Sequence, residues 1–264
     1  MSPNVYYYWI KNSKNNTKKI NKQNILNKIE QIYHTNGGVY GYRKIRKYLA
    51  DESIYLSPAT VHKYMNKELG LKSIQRRKKR DIVNYPQHKI FKNLINQNFD
   101  ISEPNKVWCT DFTYVYLSNG TRRYNCTIID LYDRSVISSV NSYRINAELA
   151  IDTLKQSLIK NKISKHKIIL HSDQGSQFTS KIFVEYCKKH NIQQSMSRKA
   201  TPTDNAPMER YFNTLKNEYI NLHRFNSEED LYNGINHFAY VIYNHKRKHS
   251  TLNYLTPFQK RYKS

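Results

Sequence analysis

The sequence predicts an α/β fold, a mixed sheet with flanking helices, preceded by a small all-helical domain of helix-turn-helix type. Three observations predict it. From residue 107 onward, segments with period-two alternation give way to alternating helix and strand signals. Residues 24–69 carry only helical periodicity, interrupted by glycine and by Ser-Pro. The chain has 264 residues, enough for one large domain or two smaller ones with a real core.

Charge narrows the choice of partner. Lys and Arg number 44 against 20 Asp and Glu, a formal charge of +24, so the surface repels itself unless a polyanion lies close. AT-rich codons account for part of the Lys, Asn, Ile and Tyr excess; they account less well for the arginines of "RRKKR" at 76–80. Nucleic acid is therefore expected. Cys109, Cys126 and Cys187 form no C-x-x-C pair, which argues against a disulfide framework and a structural zinc site. No apolar run approaches the roughly 18 residues of a membrane span, and the N-terminus lacks a signal-peptide stretch. A cytoplasmic protein without a membrane partner is expected.

The helical part is assigned to residues 1–71. "NILNKIEQIYHTNGG" spaces Ile25, Ile29 and Ile32 for a helix and stops at Gly37 and Gly38; "YRKIRKYLADE" repeats the pattern with Ile45, Tyr48 and Leu49. In "LSPATVHKYMNKEL", Ser57 suits an N-cap, Pro58 the first helical position, and Val61, Tyr64, Met65 and Leu69 a buried stripe. The other face offers Thr60, His62, Lys63 and Asn66 to a DNA groove, although a structural or protein-contact module has the same periodicity.

Residues 72–106 read as a basic linker. Its run Arg76, Arg77, Lys78, Lys79 and Arg80 suits a solvated tether and equally a cationic segment that tracks phosphates.

The core is expected over 107–225. "VWCTDFTYVYL", the turn "SNG", "RRYNCTIIDLYD" and "RSVISSVNSY" read as an antiparallel meander. A helix over "NAELAIDTLKQSLIK", a buried strand in "KHKIILHSD", a helix capped by Ser180, a short strand and a further helix follow. Residues 226–264 read as a helical extension with Leu231, Ile235, Phe238 and Ile242 inward, covering the sheet or widening the DNA-facing surface.

Three carboxylates stand out. Asp111 shares a strand face with Val107, Cys109, Thr113, Val115 and Leu117; either that face is buried, or the opposite one with Trp108, Phe112, Tyr114 and Tyr116 is. Asp173 ends an apolar strand before a glycine turn, where ligands bind in α/β sheets and where a simple turn cap also fits. Pro207 belongs in the first turn of its helix, which puts Glu209 near the positive end, at the edge of a stripe of Met208, Phe212, Leu215, Tyr219 and Leu222. Oxygen-only ligands of this kind select two Mg²⁺ ions, or Mn²⁺, over zinc. His171, two before Asp173, suits a hydrogen-bonded structural role and is given no catalytic one.

"VWCTDFTYVY", "HSDQGSQFTS" and "SMSRKATPTDNAPMERYFNTLKNEY" resemble the three catalytic blocks of bacterial insertion-sequence transposases with a retroviral-integrase-type core. Thirty-five residues separate Asp173 from Glu209, as is typical of that superfamily, and Lys216 matches its basic residue seven positions after the Glu. "GVYGYRKIRKYL" through "LGLKS" is similar to the family's helix-turn-helix region, "YNHKRKHSTLNYLTP" to its C-terminal ending, and "VYYYWIK" to the start of its second reading frame. Ala200 departs from the glycine often found before "DNA".

The resemblance implies a ribonuclease H-like core in which Asp111, Asp173 and Glu209 coordinate two Mg²⁺ ions and Lys216 contacts DNA near the cut; Lys216 also reads as an ordinary helix lysine. It implies cleavage at the element's ends and strand transfer into target DNA, with double-stranded DNA as partner, a homo-oligomer in the synaptic complex and an upstream-frame product as fusion or companion. Two other readings remain, a metal-dependent nuclease without joining activity and a catalytically silent DNA-binding regulator.

Overall fold

Residues 107–116 hold two valines, two threonines and four aromatic side chains, which suit a pleated, half-buried surface. They form the central strand. The computed structural model describes residues 21–74, 90–161 and 167–262. The chain divides into two compact units, Met1–Arg77 and Lys78–Ser264.

The first unit holds α1 (21–35), α2 (Tyr42–Asp51) and α3 (Pro58–Lys63), the last continued by a π-helical turn over Tyr64–Glu68. Ser57 caps α3 as expected, its hydroxyl accepting from the Thr60 amide at 3.1 Å. Ile29, Ile45, Leu49, Val61 and Met65 close a single core. Gly38 takes a left-handed φ of 73° after α1, and a side chain there would meet the Tyr33 hydroxyl at 3.0 Å.

In the second unit β1 (Val107–Tyr116), β2 (Arg122–Asp130) and β3 (Val136–Ser142) form the expected meander. Then come α4 (Ala147–Lys160), β4 (Ile168–Ser172), a short α5 (Ser176–Thr179), α6 (Lys181–Lys189) and β5 (Ile192–Met196). The five strands lie in the order β3-β2-β1-β4-β5, with β4 and β5 parallel to β1, so the sheet is mixed. A 3₁₀ turn over Pro202–Asn205 leads into α7 (Ala206–Glu218), followed by α8 (Glu228–Asn236), which runs on as a π-helix over His237–Lys246, and by α9 (Pro257–Tyr262).

Both faces of the sheet are covered. Val107, Cys109, Val115 and Ile129 pack with Met208, Tyr211, Phe212 and Leu215 of α7 and with Leu231, Ile235 and Phe238 of the C-terminal helix. Trp108, Ile128 and Leu170 pack on the other side with Leu154, Phe178 and Phe183. The face of Asp111 is thus the buried one of α7, and Tyr114 and Tyr116 reach solvent on the other.

Three expectations need correction. The α7 stripe runs through Tyr211 instead of Leu222, because the helix ends at Glu218 and Leu222 falls in a following 3₁₀ turn. The C-terminal stripe passes from Phe238 to Tyr243, with Ile242 only half-buried, because the π turn shifts the repeat by one residue. Residues 90–106, read from sequence as the end of a linker, lie against the core: Ile95 is buried, and the Leu94 amide donates to Ser195 Oγ at 2.9 Å. The C-terminal part covers the sheet, where the Asn244 side chain exchanges hydrogen bonds of 2.8 and 2.9 Å with the backbone of Val136.

Candidate active site

Strand register brings the first two acids together. β4 pairs with β1 over three residues only, Val107 opposite Ile169 through Cys109 opposite His171. Asp111 and Asp173 each lie two residues beyond that last pair, so the two carboxylates stand level and face the same side, Asp111 in the middle of β1 and Asp173 just past the carboxyl end of β4. Past Cys109, the β4-side edge of β1 has no strand partner among the described residues.

Glu209 arrives from above. It lies in the first turn of α7, which carries Pro at its start and packs on the sheet through Met208 and Phe212. Asn205, just ahead of the helix, donates to the carbonyl of Thr110 at 3.2 Å and so pins the start of α7 beside Asp111.

The charges confirm this convergence. The half-buried Asp111 carboxyl is held well above the usual carboxylate range by burial, then by the charges of Asp173 and Glu209, while the Phe112 amide (2.7 Å) and Lys216 act against this. Asp173 is largely solvent-accessible, but its carboxyl is crowded: a Cβ on Gly175 would come within 2.9 Å of Oδ1. Burial raises it too, and the Gly175 amide, donating at 2.9 Å, opposes the rise. Gly175 is a site residue whose role, admitting the close approach to Asp173, shows only in three dimensions.

Among the described residues none of the three carboxylates is in a salt bridge, whereas Asp204, Asp130, Asp133 and Glu218 each hold an arginine. Nor do three or more His, Cys, Asp or Glu side chains among the described residues stand close enough to enclose a metal ion. The trio is gathered but open.

Its neighbours are ordered. His171 is fully buried, with Nδ1 2.9 Å from Ser195 Oγ and Nε2 3.2 Å from Ser197 Oγ, and burial pushes its pKa down to about 4. It is a neutral structural histidine. Lys216 is half-buried on α7, its ammonium 4.5 Å from the centre of the Tyr114 ring.

The sequence-predicted DNA contacts separate. Lys63 and His62 are exposed on α3, and His62 rests edge-on against Tyr42. Asn66 is half-buried in the π turn, and Thr60 is half-buried with its hydroxyl 2.8 Å from Ser57 Oγ, engaged in the cap. Arg76, Arg77, Lys78, Lys79 and Arg80 lie outside the described residues.

Comparison with known proteins agrees with this layout. Residues 101–202 and 190–257 match two families described as integrase core domain, and residues 19–79 match an HTH-like domain. The transposase for insertion sequence element IS904 of Lactococcus lactis is 34% identical over 90% of this chain and 94% of its own length. The chain belongs to the insertion-sequence transposases. The putative transposase InsK for IS150 of Escherichia coli is 32% identical over 90% of this chain and 82% of its own. The simian T-cell lymphotropic virus intasome, in a structure with the PP2A regulatory subunit B56 gamma, superposes with a TM-score of 0.51 at 16% identity, covering 89% of this chain and 75% of that one. That likeness supports the ribonuclease H-like fold. The transposase is accordingly a polynucleotidyl transferase with an integrase-type core. Among the described residues no helix is long and apolar enough to cross a membrane.

Proposed function

We propose that this transposase acts through Asp111, Asp173 and Glu209, which hold two Mg²⁺ ions, with Mn²⁺ able to replace them. The observation that supports this is the strand register that sets Asp111 and Asp173 level on neighbouring parallel strands, with Glu209 in the first turn of the helix whose start Asn205 pins beside Asp111. Mg²⁺ keeps several waters and binds through few carboxylates plus substrate phosphates, so an open oxygen trio fits it better than a closed cage. Bound there, the two cations would stabilise charge on the attacking and leaving oxygens of an in-line phosphoryl displacement.

The chain's own residues position. The Phe112 and Gly175 amides fix Asp111 and Asp173, and the Asn205 link to Thr110 fixes the helix that carries Glu209. Lys216 would contact a phosphate beside the cut, and Lys63, Asn66 and the run Arg76 to Arg80 would contact duplex; Thr60 contributes mainly the cap. No side chain is the nucleophile: water attacks the first phosphodiester, and the liberated 3′-hydroxyl attacks target DNA. Joining needs two element ends at once, so the working form is a homo-oligomer in a synaptic complex in the cytoplasm, alone or with an upstream-frame product.

The test is transfer of a labelled 3′ end into plasmid in Mg²⁺ or Mn²⁺. Asp111→Asn, Asp173→Asn and Glu209→Gln each should lose cutting and joining by about a thousandfold or more, as the loss of several kcal/mol of transition-state stabilisation requires. Each should still retain duplex, with affinity falling steeply as salt rises. Cutting without transfer would reduce the protein to a nuclease; specific operator binding without cutting would make it a regulator.

A further inference from the structure

The sheet face opposite the acids ends in a partly exposed aromatic patch. Phe112, Tyr114 and Tyr116 alternate away from Asp111 on β1, and Tyr124 and Arg122 of β2 stand opposite Tyr114 and Tyr116 in the antiparallel ladder. Helix cover reaches Phe112, whose ring centre lies 4.9 Å from that of Phe178. Beyond it Tyr114 is 36% and Tyr116 45% exposed. Paired exposed rings at a strand end do nothing for the core.

Cations stand over them. The Arg122 guanidinium lies 5.5 Å from the Tyr114 ring centre and 5.6 Å from that of Tyr116, and the two rings meet edge-on at 5.7 Å. From the other side of the sheet Lys216 comes past the partnerless edge of β1 to lie over Tyr114, and the same ammonium is felt by Asp111. One lysine therefore links patch and acids. At about 3.3 Å per strand residue, Tyr114 lies roughly 10 Å and Tyr116 roughly 17 Å along β1 from Asp111, within reach of the nucleotides next to a bound phosphodiester.

Exposed rings carrying a guanidinium and an ammonium fit a polyanion that offers flat faces. Duplex DNA keeps its base faces inside the stack; unpaired nucleotides present them. We propose that Tyr114, Tyr116 and Arg122 form a ledge on which unpaired nucleotides of single-stranded DNA beside the cut stack, holding the duplex end open while the phosphodiester reaches Asp111. This subsite rests on the reading of the acid trio as the place of cutting. Stacking replaces part of what fraying loses, so the ledge favours an opened end over a closed one. Recognition of this kind is tolerant of sequence, since every base has a π-face.

The full chain in EDTA, where nothing is cut, tests it with a blunt duplex and the same duplex carrying a few unpaired nucleotides with 2-aminopurine among them. Wild type should bind the frayed duplex about tenfold more tightly and quench the 2-aminopurine. Tyr114→Ala with Tyr116→Ala should abolish the preference and the quenching while holding blunt duplex like wild type. The pair Tyr114→Phe with Tyr116→Phe should restore both, since rings and not hydroxyls do the stacking. Equal binding of the two duplexes by wild type, or a preference that survives the alanine pair, overturns the ledge. Asp111→Asn should keep the preference and lose cutting; if that variant still cuts in Mg²⁺ while the tyrosines behave as described, the acid trio is wrong and the rings bind unpaired nucleotides away from the place of cutting.

Discussion

Acids along β1 and β2 are treated in opposite ways. At one end, Asp130 and Asp133 are buried and share Arg261 of α9, with the Asn105 and Ser135 amides donating at 2.8 Å each. Asp204 is similarly buried and takes Arg198, Gln97 and Asn93 at 2.8 to 3.0 Å. By contrast, Asp111, Asp173 and Glu209 hold no arginine in a salt bridge among the described residues; backbone amides donate to Asp111 and Asp173, and the charge of Lys216 acts on Asp111. A chain with 44 Lys and Arg does not lack counter-charges. Where an acid serves the fold, this protein neutralises it with a guanidinium; the three acids of the trio repel one another, as carboxylates proposed to hold external cations would before those cations bind.

The largest break of that contrast is Arg261→Ala. It leaves two carboxylates buried without their charge partner, and loss of one member of a buried pair costs about 3–5 kcal/mol. Urea unfolding should show that loss, with part of it recovered when Asp130→Asn is added. A cost below about 1 kcal/mol would mean that the clasp is not what makes these acids tolerable.

Next in size is the pH dependence, where clasped acids differ among themselves. Burial, then the charge of Asp133, pushes the Asp130 carboxyl up to about 6 against the pull of Arg261. Its folded pKa lies above its unfolded one, so its stabilising share is full below about pH 4 and is lost as pH rises through about 6. Asp204 runs the other way: the Arg198 side chain holds it well below the usual range, so its share is full above about pH 4 and is lost in stronger acid. Urea midpoints across pH should show Asp130→Asn flattening the loss between pH 4 and 6, by about 2 kcal/mol, and Asp204→Asn flattening only the acid limb.

A smaller effect, of opposite sign, belongs to the trio. With no metal present, Asp111→Asn removes one of three like charges and should raise stability by about 1 kcal/mol, read as a higher thermal midpoint in EDTA. Millimolar Mg²⁺ should then stabilise wild type and leave the variant unmoved, since ligand binds the native state alone. A destabilised Asp111→Asn in EDTA would place Asp111 with the structural acids.

These contrasts mark what the sequence could disclose. Period-two alternation, the caps at Ser57 and Ser180 and the position of Pro207 are local, and each is where reading residue types put it. Which face of β1 lies under α7 is undecidable from the strand, because both halves of the alternation carry apolar side chains and helices cover both faces of its first half. The π turns at Tyr64 and His237 leave no mark in residue type, and the one at His237 shifts the C-terminal stripe by a residue. Above all, a buried acid with a clasp and one without look alike in sequence: Arg261 meets Asp130 and Asp133 across 131 and 128 positions, a distance no motif spans. Resemblance located the trio; the fold shows why it differs from the other acids.

The finest distinction lies in the loop before α7. Ala200 holds a left-handed φ of 56°, a conformation that costs an alanine about 1 kcal/mol and a glycine almost nothing. Glycine would regain that strain but lose a similar amount to unfolded-chain entropy, so Ala200→Gly should change stability by no more than about 0.5 kcal/mol. The loop's shape is fixed elsewhere, by Arg198, whose backbone amide and guanidinium both hold Asp204 at 2.9 Å. Cutting should then proceed within about twofold of wild type, whereas Arg198→Ala, which frees the chain leading to Asn205 and Glu209, should slow it by tenfold or more, about 1.4 kcal/mol. A large rate loss in Ala200→Gly together with a mild Arg198→Ala would show that backbone strain, and not an arginine clasp, positions the helix that carries the third acid.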